Sequence, residues 1–241
     1  VSAAEFYTDI VPEVYGLLRG TRFAAEPYLE FVRAEGEPAL ELGCGDDGPF
    51  LELVRQGVDV EGVDSSADMV RRCRERAASD GLSPVVHHQR MEDLALDRQF
   101  RAIYLAGPTF NLLPDDETAA RALGAIGRHL MPGGAALVPL WVPSPTPPEE
   151  IGRVREAVTA DGHRATFAVI DEAYDARTRT RTSRARYGLE DRHGRRELDR
   201  DWVLHWYTGH GFEDLATAAG LTIESTVEGD TDEQVVLLRR G

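Results

Sequence analysis

The stretch ALELGCGDDGPF, residues 39–50, is the tightest constraint on how this chain can fold. An apolar run passes into Gly43, Gly45 and Gly48 and then into a helical pattern, which is the signature of a strand that turns sharply into a helix. The same unit recurs at once. VDVEGVD reads as a strand ending at Asp64, and SSADMVRRCRERAASDG as a capped amphipathic helix stopped by Gly81. SPVVHHQRM and RAIYLAG continue as strands, PDDETAARALGAIGRHL as a helix, MPGG as a turn and AALVPLWV as a strand. Such alternation predicts an α/β fold with a parallel sheet covered by helices on both faces. Ligands of these sheets bind beyond the carboxyl ends of the strands, where Gly43, Asp64, Met91 and Ala106 fall.

After Val142 the rhythm stops. PSPTPPEE is followed by apolar runs, alternating Thr and Arg, and turn signals at YDAR and DRHG, which predict a small antiparallel β insert. GFEDLATAAG then reads as a helix, with LTIESTVEG and EQVVLLRR as a closing pair of strands. The expected organisation is a core with an N-terminal segment over residues 1–145, the insert over 146–200 and completion of the core sheet over 201–241.

Composition narrows the chemistry. All 27 basic residues are arginine, so a Schiff-base lysine and the lysine of a P-loop are both absent. A net charge of -15 repels polyanions, which disfavours nucleic acid and anionic membranes as partners and suits a small neutral or cationic ligand. Two cysteines, Cys44 and Cys73, make neither a disulfide framework nor a C-x-x-C metal pair. His87 and His88 fall on opposite faces of one strand and cannot share a metal. No apolar run approaches a membrane span and VSAAEFYTDI lacks the pattern of a secretion signal, so the expectation is a cytoplasmic protein without a metal site.

The glycine loop admits two cofactors. As G-x-G-x-x-G it would cradle a dinucleotide pyrophosphate; as Glu41-x-Gly43-x-Gly45 it would receive S-adenosylmethionine (SAM). Asp46 and Asp47 separate the two readings. A pair of like charges ~5 Å apart at a dielectric of ~20 repel by roughly 3 kcal/mol, and a pyrophosphate adds to that burden, whereas a sulfonium and an ammonium do not. Glu41, at the end of the first strand, can help orient the ammonium, and Asp64 fits ribose hydroxyls in either reading.

Six stretches occur in the order of the motifs of class I SAM-dependent methyltransferases: ALELGCG, VEGVDSSADMV, MEDLAL, FRAIYLAGPTFNLL, GAIGRHLMPGGAALVPL and YTGHGFEDLATAAGLTIEST. The chain resembles that family, and within it the bacterial small-molecule enzymes that include amino-sugar N,N-dimethyltransferases and glycine-type N-methyltransferases. The resemblance implies a doubly wound, mostly parallel, seven-stranded Rossmann-like sheet with a small antiparallel β insert, with SAM as cofactor and S-adenosylhomocysteine (SAH) as product. It places Gly43, Cys44 and Gly45 against the methionyl part, Asp64 and Ser65 at the ribose, and Met69, Met91 and Glu92 around the adenine, with Leu105 at the end of the fourth strand beside them. FYTDIVPEVYGLLRGTRF resembles the lid of the family, making Tyr7 and Tyr15 candidates to close over the cofactor. Asp47 stands where the family has a third glycine, and Arg90 where an aspartate often accepts the adenine amino group. Those departures keep a SAM- or SAH-binding pseudoenzyme or regulatory partner in view beside the main reading.

That main reading is methyl transfer to a small-molecule acceptor, an amine nitrogen before an oxygen, with a natural-product O-methyltransferase as the alternative. In-line displacement needs alignment and exclusion of water more than a dedicated base. Asn111, with Thr109, could orient a polar acceptor after the fourth strand, and His205, Tyr207 and His210 are the candidate bases before the last helix. Phe110 and Trp206 could line a pocket. Nine arginines against four acids between Arg177 and Arg200 form a local basic excess. The spacing of Arg177, Arg179 and Arg181 reads as one solvated face of a ribbon, ahead of an anion site, with a bulge near Thr182 where the parity changes to Arg184 and Arg186. Edge pairing with a second copy, giving a homodimer, stays open.

Overall fold

The computed structural model describes residues 6–19, 24–159, 162–229 and 232–241. The last four residues of the lid segment, 20–23, lie outside them. Two helices, α1 (Val11–Arg19) and α2 (Glu26–Glu35), precede the alternating core: β1 (Ala39–Leu42), α3 (Gly48–Arg55), β2 (Val60–Asp64), α4 (Ala67–Ser79), β3 (Val86–His88), β4 (Phe100–Leu105), α5 (Asp116–His129) and β5 (Leu130–Trp141). Strands β6 (Arg155–Val158), β7 (Arg164–Asp175), β8 (Thr180–Asp191) and β9 (Gly194–His205) follow, and α6 (Gly209–Ala218), β10 (Leu221–Glu228) and β11 (Glu233–Arg240) close the chain.

The main sheet has the order β10-β11-β5-β4-β1-β2-β3. Only β11 runs against its neighbours, slotted between β10 and β5, so the sheet is seven-stranded and mostly parallel as expected. Every residue of β1 and β2 is buried, because helices cover both faces of a doubly wound sheet. Alternation sorts them into two layers. Leu40, Leu42, Ile103 and Leu105 pack on Leu123 and Ile126 of α5 and Phe212 of α6. Ala39, Ala102 and Tyr104 pack on Leu29 of α2, Phe50 of α3 and Cys73 of α4. Polar ends close the helices: Ser66 caps α4 by accepting from the Met69 N–H, and Asp115 caps α5 by accepting from the Thr118 N–H.

MPGG is not a free turn. The strand β5 begins at Leu130, opposite Phe100, and its pairing with β4 resumes only at Ala135 opposite Ala102, so residues 131–134 form a bulge on the strand. Gly134 is obligatory there, since a Cβ would lie 2.9 Å from the Met131 carbonyl oxygen and 3.0 Å from that of Arg101.

The insert is a separate antiparallel sheet of order β6-β7-β8-β9. Its last strand continues to His205, beyond the division at 200 drawn from the sequence. One face, carrying Ala165, Ala185, Tyr187 and Leu189, packs against Phe6, Ile10, Val11 and Val14 of the N-terminal segment. The arginine pattern departs from its reading. Arg177 and Arg179 belong to the β7–β8 turn, and Arg181 points inward, 8% exposed, with its guanidinium 4.8 Å above the Trp141 ring. The outward arginines are Arg184 and Arg186, both beside Asp199. The bulge lies not at Thr182 but across the pairing, at the register shift between Val169 and Asp171 on β7. Burial of a guanidinium is affordable here because Glu172 lies beside it, and spacing alone carries no trace of that partner.

Candidate active site

The carboxyl ends of β1, β2 and β4 meet at the glycine loop. Gly43, Gly45 and Gly48 hold φ values of +75°, +62° and +49°, a backbone that other residues adopt only with strain. The N–H groups of Gly43 and Cys44 both donate to the Val63 carbonyl, at 2.7 and 3.0 Å. Thr109, from the 3-10 turn Thr109–Leu112 after β4, occupies the space where a Gly43 Cβ would stand, its Cγ2 2.5 Å from that position.

Asp64 terminates β2 and anchors the loop. Its Oδ2 accepts from the Gly45 N–H at 2.9 Å and its Oδ1 from the Ser66 N–H at 2.8 Å. Burial pushes its pKa up, and the two backbone donors offset part of that rise. Each oxygen has a further lone pair, so the carboxylate can still accept from a ligand hydroxyl. Asp46 and Asp47 are both paired with arginines. Asp46 is held by Arg72 at 3.0 Å and Arg76 at 3.6 Å, and Asp47 by Arg76 at 2.7 Å, both arginines coming from α4. Arg72 and Arg76, four residues apart, share one face of α4.

Glu41 is 1% exposed beneath the loop. Burial holds the Tyr104 hydroxyl well above its ordinary pKa, and the charge of Glu41, which that hydroxyl contacts, adds to the effect. Tyr28 stacks on Tyr104 with centroids 5.3 Å apart and its hydroxyl accepts from the Gly107 N–H at 3.1 Å, a link from α2 to the site that no motif announces. Cys44 is buried beside Gly62, whose Cβ would come within 2.9 Å of its Sγ.

The N-terminal segment that packs on the insert also reaches the loop after Asp64. The Ser66 hydroxyl donates to the Tyr7 carbonyl at 2.6 Å, joining the lid to the loop after Asp64, and Tyr7 meets Tyr15 edge-on at 5.4 Å. Ser65 contributes its carbonyl to His88 Nε2 at 3.1 Å. Of the adenine candidates, Met69 is buried in the first turn of α4, and Met91 and Glu92 form the 3-10 turn Met91–Asp93 after β3, with Glu92 3.8 Å from Arg90. Leu105 is fully buried in the sheet.

Of the four residues named for catalysis, Asn111, His205 and Tyr207 come together in the interior and His210 does not join them. Asn111 is 0% exposed; its amide donates to the Trp141 carbonyl at 2.9 Å and the His205 carbonyl at 2.8 Å, and its Oδ1 accepts from the Trp141 N–H at 3.0 Å. It ties the end of β5 to the end of β9. His205 is 3% exposed, with Nε2 2.9 Å from Asp116, which also receives Arg179 from the β7–β8 turn. Burial would raise the Asp116 pKa, but His205 and Arg179 together hold it below the ordinary value. Tyr207 packs edge-on against His205 and on Phe110 and Phe212; burial, then the charge of Asp116, pushes its hydroxyl far up. His210 stands apart, with 85% of its side chain exposed and Glu213 and Asp214 nearby. Phe110 is core and Trp206 stacks on Tyr174 at 4.9 Å, so neither aromatic is a free pocket wall.

The site thus combines a Rossmann-like sheet, a glycine loop held by an acid at the end of β2, and an N-terminal segment that packs on the inserted sheet and bonds beside that acid. Residues 39–134 match the family profile described as a methyltransferase domain. Among curated relatives, it is 29% identical over 139 residues to a dTDP-3-amino-3,4,6-trideoxy-alpha-D-glucopyranose N,N-dimethyltransferase of Streptomyces venezuelae, covering 55% of this chain and 57% of that one. It is 26% identical over 227 residues to a dTDP-3-amino-3,6-dideoxy-alpha-D-glucopyranose N,N-dimethyltransferase of Streptomyces fradiae, covering 90% and 86%. The first match thus spans little more than half of the relative's length. The crystal structure of DesVI from Streptomyces venezuelae superposes with a TM-score of 0.76 at 22% identity, covering 100% of this chain and 99% of that one, which fixes the fold.

The residues present fit SAM. The loop backbone is open at Gly45, where an added Cβ would meet nothing within 4 Å, Asp64 keeps acceptor capacity for ribose hydroxyls, and the loop acids that would crowd a ligand are neutralised by α4.

Proposed function

We propose that this protein transfers a methyl group from SAM to an amine nitrogen of a small-molecule acceptor, most simply an amino sugar. One observation carries the reading. Asp64 holds the glycine loop through Gly45 and presents its remaining acceptor sites beneath a lid pinned at Ser66. The names of both relatives support nitrogen as the acceptor atom, and both specify an amino sugar.

SAM, when bound, supplies a methyl carbon activated by a positive sulfur. The chain supplies position and dryness. Gly45 leaves the backbone open toward the methionyl part while Gly43 makes room for Thr109, Asp64 accepts from the ribose, and the Met91–Asp93 turn borders the adenine side. The lid, with Tyr7 and Tyr15 on it, and the inner face of the insert shut water away from the acceptor. Asn111 acts by positioning, since its amide hydrogens are both engaged by backbone carbonyls at the rim. An amine attacks only when neutral, so the rate should rise with pH until the acceptor itself is deprotonated. The two free cysteines, Cys44 and Cys73, support a reducing cytoplasm as its compartment.

The test is incubation with SAM and a panel of amino sugars, other amines and hydroxyl analogues, read by mass spectrometry. Gain of one or two methyl groups on an amine supports the proposal. Methylation confined to hydroxyl analogues would move the reading to oxygen, and SAH binding without turnover of any acceptor would move it to a cofactor-binding partner.

A further inference from the structure

We propose that Arg200 and Trp202 form an oxyanion subsite, in which the guanidinium and the indole N–H hold a carboxylate or phosphate group of the acceptor. This inference rests on the methyl-transfer reading above and adds the chemical class of the substrate.

Positions 200 and 202 share one face of β9, because side chains alternate along a strand. Their register partners are Ala185 and Ser183, which are 0% and 1% exposed, so this is the inner face. The lid crosses the same place. Arg200 Nη2 lies 3.4 Å from the Thr8 hydroxyl, and the Phe6 ring stacks on Trp202 with centroids 6.4 Å apart. Between those two residues, the Tyr7 carbonyl receives the Ser66 hydroxyl, two positions after Asp64. The pair therefore borders the acceptor side of the lid, across from the ribose acid.

Both Arg200 Nε and Trp202 Nε1 are sealed from solvent and meet no hydrogen-bond acceptor. Buried donors in that state are costly and rare, and two of them two residues apart on one face indicate a partner that arrives with the ligand. Neither group can accept a hydrogen bond, so the pair selects oxygen acceptors and repels cations. Charge points the same way. Across this sheet the other inward guanidinium, Arg181, has Glu172, and outward Arg186 has Asp199, but among the described residues Arg200 takes no carboxylate. In a chain of net charge -15, an inward guanidinium without a carboxylate is matched to an anionic group on the substrate.

The test is calorimetric titration of the full chain, first with SAH and then, once saturated, with inorganic pyrophosphate, phosphate, acetate or glycine. Wild-type protein should bind at least one of these anions; preference for the phosphates or for the carboxylates tells which group the subsite receives. Arg200→Gln should weaken that binding about tenfold to a hundredfold and Trp202→Phe by less, with SAH affinity unchanged in both, and Arg200→Lys should restore part of the loss. No anion binding to SAH-loaded wild type, or equal binding by Arg200→Gln, overturns the subsite and leaves methyl transfer standing. Failure of the first titration, with SAH itself, overturns the methyl-transfer reading and the subsite with it.

Discussion

The two sheets hold their functional groups by different means. At the carboxyl ends of β1 and β2, strands buried on every residue deliver backbone: the Gly43, Cys44, Gly45 and Ser66 N–H groups are fixed by the Val63 carbonyl and the Asp64 carboxylate. On the insert the fixing is done by side chains. Glu172 accepts from the Thr146 N–H at 2.7 Å and the Thr146 and Ser183 hydroxyls at 2.6 and 2.8 Å, with Arg181 beside it, and so straps the proline-rich crossing onto β7 and β8. Backbone fixation depends on few residue identities and suits a cofactor that does not change. Side-chain fixation can be rebuilt one substitution at a time, which would suit the acceptor surface proposed above.

Asn111 bridges the two regions, so the largest expected effect is its removal. Asn111→Leu leaves the Trp141 N–H and two carbonyls buried without partners and should cost about 3 kcal/mol in denaturant unfolding. It should also loosen the insert from the core in hydrogen exchange. Glu172→Gln sharpens the contrast, since Glu172 and Arg181 side chains are only 7% and 9% exposed. Loss of that charge should cost about 2 kcal/mol, raise the acceptor KM, and leave SAH affinity unchanged. Equal damage to SAH binding would break the division of labour between the sheets.

Acid should separate the regions further. Burial would raise the Glu172 pKa, but Thr146, Ser183 and Arg181 outweigh it and hold the group below its ordinary 4.5. A depressed folded pKa gives stability that is complete above 4.5 and lost as the pH falls through the lower folded value. Asp64 has the opposite sign: its folded pKa is raised above 3.8, so its ionisation opposes folding and protonation relieves it. Hydrogen exchange at falling pH should therefore show the strap opening before β1 and β2. The smallest effect belongs to His210→Ala, which should change stability by less than about 0.5 kcal/mol and leave acceptor kinetics intact, since the imidazole is exposed on α6.

The core was legible because periodicity and glycine placement encode it locally. β1, β2 and the Ser66 cap fall where the sequence places them, and so does the closing hairpin. What stayed hidden depends on contacts between distant residues. Nothing local tells that Asn111 answers Trp141 and His205, that Asp116 collects His205 and Arg179, or that Arg181 turns inward onto Trp141. The alternating arginines misled because parity along one strand does not say which face carries the partner; the bulge on β7 and the strap from β5 decide that. Asp46 and Asp47 were legible as acids in a turn, but their neutralisation by Arg72 and Arg76 needed α4 folded back beside the loop.

The most direct measurement is a titration of SAH and, separately, NAD into wild-type protein and Asp64→Asn. The expected result is SAH binding by the wild type, weakened about a hundredfold in Asp64→Asn, with no NAD binding in either. NAD binding without SAH binding, or SAH affinity indifferent to Asp64, would contradict the assignment of the glycine loop.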